Sequence, residues 1–193
     1  LCSSLKKSFP DADVHYIVNE NIAPLFVNHP SIDKVITFSD YDMSKTSRYL
    51  RKVKSIVSSE KYDIIVDTRA TLKTLAFSLF SLHTPYRIGR KKKYSLFAHN
   101  FRIDNYARGR MDNVTATLKL LDPLSKDFNI IKDPDFKLYV SADDKASYSQ
   151  YLKAKGVDLN KPIIICAVTA RIESKVWAKD KMTEILKRVV DKY

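Results

Sequence analysis

Apolar and polar positions along this 193-residue chain follow two alternating rhythms. Short β-branched and aromatic runs at 14–18, 34–38 (KVITF), 61–67 (KYDIIVD), 85–89 (PYRIG) and 163–166 (IIIC) have the length of strands. Between them, apolar residues recur at helical spacing. A helix over 1–9 stops at Pro10 and Asp11, and a short one from Asn19 or Glu20 runs through Leu25 and Val27 before Pro30. The stretch 42–59 carries Leu50, Val53, Ile56 and Val57 on one face, and Leu72, Leu75, Phe77, Leu79 and Leu82 mark the next helix. A helix over 110–121, with Val114, Leu118 and Leu121 inward, ends at Asp122 and Pro123. Another over 142–155 ends at Gly156, and Trp177 opens a pattern through Met182, Ile185, Leu186 and Val189. Shorter extended pieces are expected at 99–103 and 137–140.

Strands alternating with helices predict an α/β chain with a largely parallel, doubly wound sheet. The polar stretch 122–135 reads as a passage between domains. One domain is expected over 1–125, with a linker and the start of a second over 126–193. The part beyond the passage is too short for a complete α/β domain, so the second domain reads as truncated. The first reads likewise, since its opening helix lacks an N-cap at Leu1.

Charge changes this picture more than composition does. The formal net charge is +12, which calls for an acidic counterpart: nucleic acid, an anionic membrane surface or a phosphorylated substrate. A hydrophobic share of 45% fits a globular protein, and no apolar run approaches the ~20 residues needed to span a bilayer. The start, LCSSLKKSF, has no apolar core of a signal peptide. Cys2 and Cys166 lie far apart without a CxxC, so neither a metal site nor a disulfide framework is expected, and a reducing cytoplasm is the default. Cys166 reads as a small buried hydrophobe. None of the three glycines forms GxGxxG, which argues against a dinucleotide cofactor.

Three places carry candidate chemistry. In 162–177 a strand is followed by a donor-rich loop, with Thr169, Arg171, Ser174 and Lys175, and then by a helix start. Phosphate favours such an arrangement, although ordinary surface charge would look the same. At the end of KYDIIVD come Asp67, Thr68 and Arg69, with Lys73 beyond. Asp67 or Thr68 either caps the following helix or lines a cleft. The third place is 87–93, where five of seven residues are basic: a solvated loop or an anion site, with Tyr86 and Tyr94 available for stacking on a base. Arg48, Arg51, Lys52 and Lys54 read as a solvated helix face.

In order and spacing the motifs resemble the bacterial ADP-heptose:lipopolysaccharide heptosyltransferases, glycosyltransferase family 9, over nearly the whole length. The resemblance rests on Phe9, Pro10, Asp11 and Ala12; on Ile22, Ala23, Pro24 and Leu25; and on Pro30, Ile32, Asp33, Lys34, Val35 and Ile36. It continues through Lys61, Tyr62, Asp63 and Asp67, then Arg69 or Lys73, then Arg87, Ile88 and Gly89, and ends at Lys175 and Trp177.

The resemblance implies a GT-B fold, two Rossmann-like doubly wound domains, and inverting transfer of a heptose from ADP-heptose to a lipopolysaccharide core acceptor. It implies Thr169, Arg171, Ser174 and Lys175 at the nucleotide sugar, with Trp177 packing that loop. Asp67, Thr68, Arg69, Lys73, Arg87, Arg90 and Lys91, with Lys92 and Lys93, would meet a phosphorylated acceptor at the inner face of the inner membrane. The family's general base, an Asp in a Gly-Asp segment, would lie before Leu1, so no catalytic residue is assigned and the fragment alone is expected to be inactive. Val168 and Thr169 stand where many members have Pro-Gly. Two other classes stay open: a non-catalytic binder of anionic glycan or phosphate, and a basic nucleic-acid-binding protein, for which no signature is present.

Overall fold

A computed structural model describes residues 1–104, 111–167, 169–170 and 172–192. Contacts divide the chain into two compact units, Leu1–Tyr139 and Val140–Tyr193.

In the first unit the strands form where β-branched runs were expected: β1 (His15–Asn19), β2 (Lys34–Phe38), β3 (Ile64–Asp67), β4 (Tyr86–Arg90) and β5 (Phe101–Ile103). Every pairing is parallel. β1 pairs with β2, and β3, β4 and β5 form a second sheet in that order. In the second sheet Asp67 stands opposite Gly89, and Gly89 opposite Arg102, so these residues share its carboxyl edge.

Helices cover these sheets with the faces that periodicity marks. The segment expected as one helix over 42–59 is two: α2 (Asp40–Met43), closed by a Ser39/Asp42 capping box, and α3 (Thr46–Ser59). From α3, Tyr49, Val53 and Val57 are buried with Phe38 of β2 and with Ala76 and Phe77 of α4 (Leu75–Leu79). A second core surrounds Ile88 of β4, with Leu118, Leu120, Leu121 and Leu124 from one side and α1 (Cys2–Ser8) supplying Leu5. The helix expected to stop at Pro123 does not stop there. After α5 (Asn113–Leu118) the chain tightens into a 3-10 helix, Lys119–Lys126, that accommodates Pro123 and drives Leu120, Leu121 and Leu124 fully inside.

Residues 126–139 pack onto this first unit. Phe128 meets Phe9 and Tyr86 edge-on, and Ile130 joins the second core. Two serines of α1 clamp the segment: Ser8 Oγ accepts the Ile131 N–H at 2.8 Å and Ser4 Oγ accepts that of Asp133 at 2.9 Å. Lys7 adds an ion pair to Asp133 at 2.7 Å.

The second unit holds α6 (Ala142–Ala154), capped by Ser141, and α7 (Lys179–Lys192). Just past α6, Gly156 turns the chain with φ 78°. The strands expected at 137–140 and 163–166 do not form. A strand is a ladder of hydrogen bonds, and among the described residues no neighbour pairs with either segment. Cys166 is accordingly exposed rather than buried, and Ile165 is 87% exposed.

Candidate functional site

The most elaborately bonded part of the first unit is the carboxyl edge of the second sheet. Asp67 ends β3 and is buried. Its Oδ1 accepts the N–H groups of Arg69 at 3.0 Å and Ala70 at 2.7 Å, while Oδ2 accepts the Thr74 hydroxyl at 2.8 Å. It therefore closes the turn 67–74 rather than capping a helix; α4 begins only at Leu75. Thr71 and Thr74 exchange backbone N–H and hydroxyl bonds, and the helix expected from Leu72 begins only at Leu75. Ala70 is buried with φ 45°, a left-handed conformation that a Cβ disfavours.

Beside Asp67 lies His99, whose side chain is wholly buried. Its Nε2 is 3.6 Å from Asp67 Oδ2, too long for a hydrogen bond. The His99 ring fills the space over Gly89: a Cβ there would lie 2.1 Å from its Cε1. Burial pushes the Asp67 carboxyl up, but His99, the Ala70 N–H and the Thr74 hydroxyl outweigh burial and hold it below the usual value. A carboxylate stabilised in that way is a weak proton acceptor, which makes Asp67 an organiser of the loop rather than a general base.

The basic residues expected here separate into different tasks. Arg69 and Lys73 are exposed on the Asp67 turn. Tyr49 fixes the Lys73 backbone by donating to its carbonyl at 3.0 Å, and burial, followed by the Asp67 charge, pushes the Tyr49 hydroxyl up to about 12. Thr68 is half-buried. Arg90, at the end of β4, keeps a buried Nε with no hydrogen-bond partner among the described residues. Lys91 faces Asp104 at 3.5 Å. Arg87 is turned elsewhere: its guanidinium donates to the carbonyls of Leu82, Thr84 and Ala98 at 2.7, 2.6 and 3.0 Å. That holds the chain entering β4.

Sequence reasoning missed His99, Thr74, Tyr94 and Ala70 as parts of this edge. Tyr94 donates to the Ala70 carbonyl at 3.0 Å and joins the 91–97 turn to the 67–74 turn. Gly89 was the available signal, because glycine inside a strand marks a close approach.

In the second unit Thr169, Ser174 and Lys175 are all exposed, and Arg171 lies outside the described residues. Glu173–Lys175 forms a single 3-10 turn. Trp177 lines an open groove of about 600 Å³ with Val176, Met182 and Leu186. Among the described residues no cluster of three or more His, Cys, Asp or Glu is placed to hold a metal ion, and no helix is long and apolar enough to cross a membrane.

Comparisons with known proteins place these loops in a family context. The family model of glycosyltransferase family 9 (heptosyltransferase) matches residues 50–192. Lipopolysaccharide heptosyltransferase 1 of Campylobacter coli is 22% identical over 192 residues, which is 98% of this chain and 55% of that protein. The crystal structure of a glycosyl transferase family 9 protein from Veillonella parvula DSM 2008 superposes with a TM-score of 0.79 at 14% identity, over 95% of this chain and 53% of that one. The shared fold is the α/β, GT-B class with parallel sheets. The chain spans about half the length of the relatives it matches.

Proposed function

The chain belongs to glycosyltransferase family 9, and from that membership we propose that the whole protein transfers a heptose, with inversion, from ADP-heptose to a phosphorylated lipopolysaccharide core acceptor. The observation that carries the reading is that the family match covers both candidate loops, 67–74 and 169–177.

In this reading the turn organised by Asp67 carries Thr68 and presents Arg69 and Lys73 to acidic groups of the acceptor, with Arg90 and Lys91 on the neighbouring strand end. Exposed guanidinium and ammonium groups on a fixed backbone suit phosphate oxygens. Thr169, Arg171, Ser174 and Lys175 serve the diphosphate of the donor. A carboxylate base takes the proton of the acceptor hydroxyl, its oxygen attacks the anomeric carbon, and the bond to ADP breaks. Charge then grows on the departing diphosphate, where the Lys175 ammonium and the hydroxyls of Thr169 and Ser174 lower the barrier. With Asp67 committed to its turn, the base comes from outside these residues, and this chain by itself binds without turning over. The enzyme works in the cytoplasm, in peripheral contact with the anionic inner face of the inner membrane.

The test is calorimetric titration of ADP, ADP-heptose and an unrelated nucleotide sugar into the protein and its Lys175→Ala variant. Binding of ADP-heptose that weakens at least tenfold in the variant supports the reading. Absence of binding by any nucleotide sugar would turn it into that of a non-catalytic anionic glycan binder.

A further inference from the structure

We propose that the turn at 91–97, together with Leu72, is a docking surface for an anionic lipid bilayer. The proposal deepens the membrane part of the reading above and rests on it for its biological sense, but its physical basis is separate.

Three lysines, Lys91, Lys92 and Lys93, run directly into Tyr94, Ser95, Leu96 and Phe97. The turn is anchored at both ends. Ser95 is buried, its Oγ donating to the Lys92 carbonyl at 3.0 Å and accepting the Lys92 N–H at 3.1 Å, and Ala98 and His99 are buried on the other side. The His99 N–H closes the span on the Ser95 carbonyl at 3.1 Å. Between these anchors Leu96 and Phe97 face solvent, Phe97 with 82% of its surface exposed. The Tyr94 bond to Ala70 brings in the second turn, where Leu72 is 73% exposed and stands between the exposed Arg69 and Lys73.

A single exposed leucine needs no explanation. Here large exposed apolar side chains sit on two turns that are bonded together, and cations flank them in the sequence. At this rim Lys91 pairs with Asp104, and Lys92 and Lys93 add further positive charge. Apolar tips that enter the boundary between headgroups and acyl chains, with lysines spread among anionic headgroups, fit that arrangement. The excess of cations selects an anionic leaflet over an apolar protein groove.

The experiment is flotation of the intact chain with vesicles of phosphatidylcholine alone, and with about a third of the lipid replaced by phosphatidylglycerol. Wild type is expected to bind the anionic vesicles and to weaken with added salt. Leu96→Ser with Phe97→Ser should lower partitioning at least tenfold while far-UV circular dichroism and Tm stay unchanged, since both side chains are solvated in the free protein. Lys92→Gln and Lys93→Gln should each lower it roughly fivefold on anionic vesicles only. Wild-type partitioning by the serine variant, or no binding of wild type to anionic vesicles, overturns the proposal. The vesicles carry no sugar acceptor, so the two readings fail separately. Vesicle binding without binding of any nucleotide sugar would leave the surface standing and sink the transferase reading, and ADP-heptose binding without vesicle binding would do the reverse.

Discussion

Gly89→Ala tests the carboxyl edge most directly. The substitution needs no unusual backbone, because among the described glycines only Gly156 has positive φ. The obstacle is space: the new methyl would sit 2.1 Å from Cε1 and 2.3 Å from Nδ1 of His99, so the ring must retreat about 1.3 Å to reach the ordinary 3.4 Å. It has nowhere to go, being wholly buried with Asp67 at 3.6 Å from Nε2. Overpacking of this kind costs about 1–3 kcal/mol, and a disturbed Asp67 contact brings the expectation to about 2–4 kcal/mol. With a urea m-value of ~2 kcal/mol/M, the midpoint should fall by about 1–2 M. The decisive comparison is a double-mutant cycle read by urea unfolding. His99→Ala alone destabilises by about 2–4 kcal/mol through its cavity and the lost partner of Asp67, but it opens the space that a methyl at position 89 needs. Gly89→Ala added to His99→Ala should therefore cost almost nothing, a coupling of about 2 kcal/mol or more. Additive costs, or a Gly89→Ala protein within about 0.5 kcal/mol of wild type, would refute this account of the edge.

Other consequences are open to measurement. At Ala70 the left-handed backbone costs about 1–2 kcal/mol, whereas glycine forfeits about 0.5–1 kcal/mol of chain entropy and a buried methyl worth about 0.8 kcal/mol. Ala70→Gly should thus be near neutral by thermal melting and Ala70→Val strongly destabilising; equal Tm values for the two would contradict the strain. Arg87→Lys keeps the charge but loses the fork that serves three carbonyls, so Tm should drop, by about 2 kcal/mol of stability, with the acceptor KM of the whole enzyme unchanged. A raised KM at unchanged Tm would put Arg87 on the ligand instead. Asp67 is held below its usual value, and Asp42 is held at about 2 mainly by Lys52, with the Ser39 N–H assisting. Folded values below unfolded ones mean stability that is complete above about pH 4 and is lost as pH falls through the folded values. Tm measured in acid should fall over that window, less steeply for Asp67→Asn, and a flat profile would remove the assignment.

Much of the first unit was legible because its strands are short β-branched runs and its helices carry one apolar stripe; β2 and the buried face of α3 follow directly from KVITF and from Val53 and Val57. The Asp67 turn was legible as a place but not as a device. Which groups its carboxylate meets depends on Thr74 and on His99, a whole strand and turn further along the chain, and local pattern says nothing of either meeting. Arg87 shows the same limit from the other side. A basic cluster in sequence says nothing of which member finds three carbonyls to bond. Pro123 misled because a proline that stops an α-helix fits a 3-10 turn when leucines on either side have a core to enter. At 163–166 the apolar run was present, but among the described residues no strand pairs with it, and a run of isoleucines cannot make a ladder alone.

The clamp of α1 on residues 131–133 also sets a schedule. Ser4 and Asp133 are 129 positions apart, yet they exchange hydrogen bonds at the surface of the same core. At a synthesis rate of ~5–20 residues per second, ~6–26 seconds separate the two on the ribosome. For most of that interval the α1 face that carries Leu5 has no Leu120, Leu121 or Leu124 to cover it, because those leucines have not yet been made. The nascent chain can lay down β1 and β2 early, but α1 waits for the closing stretch of the unit. A chaperone that recognises short apolar segments would find a long-lived target in α1.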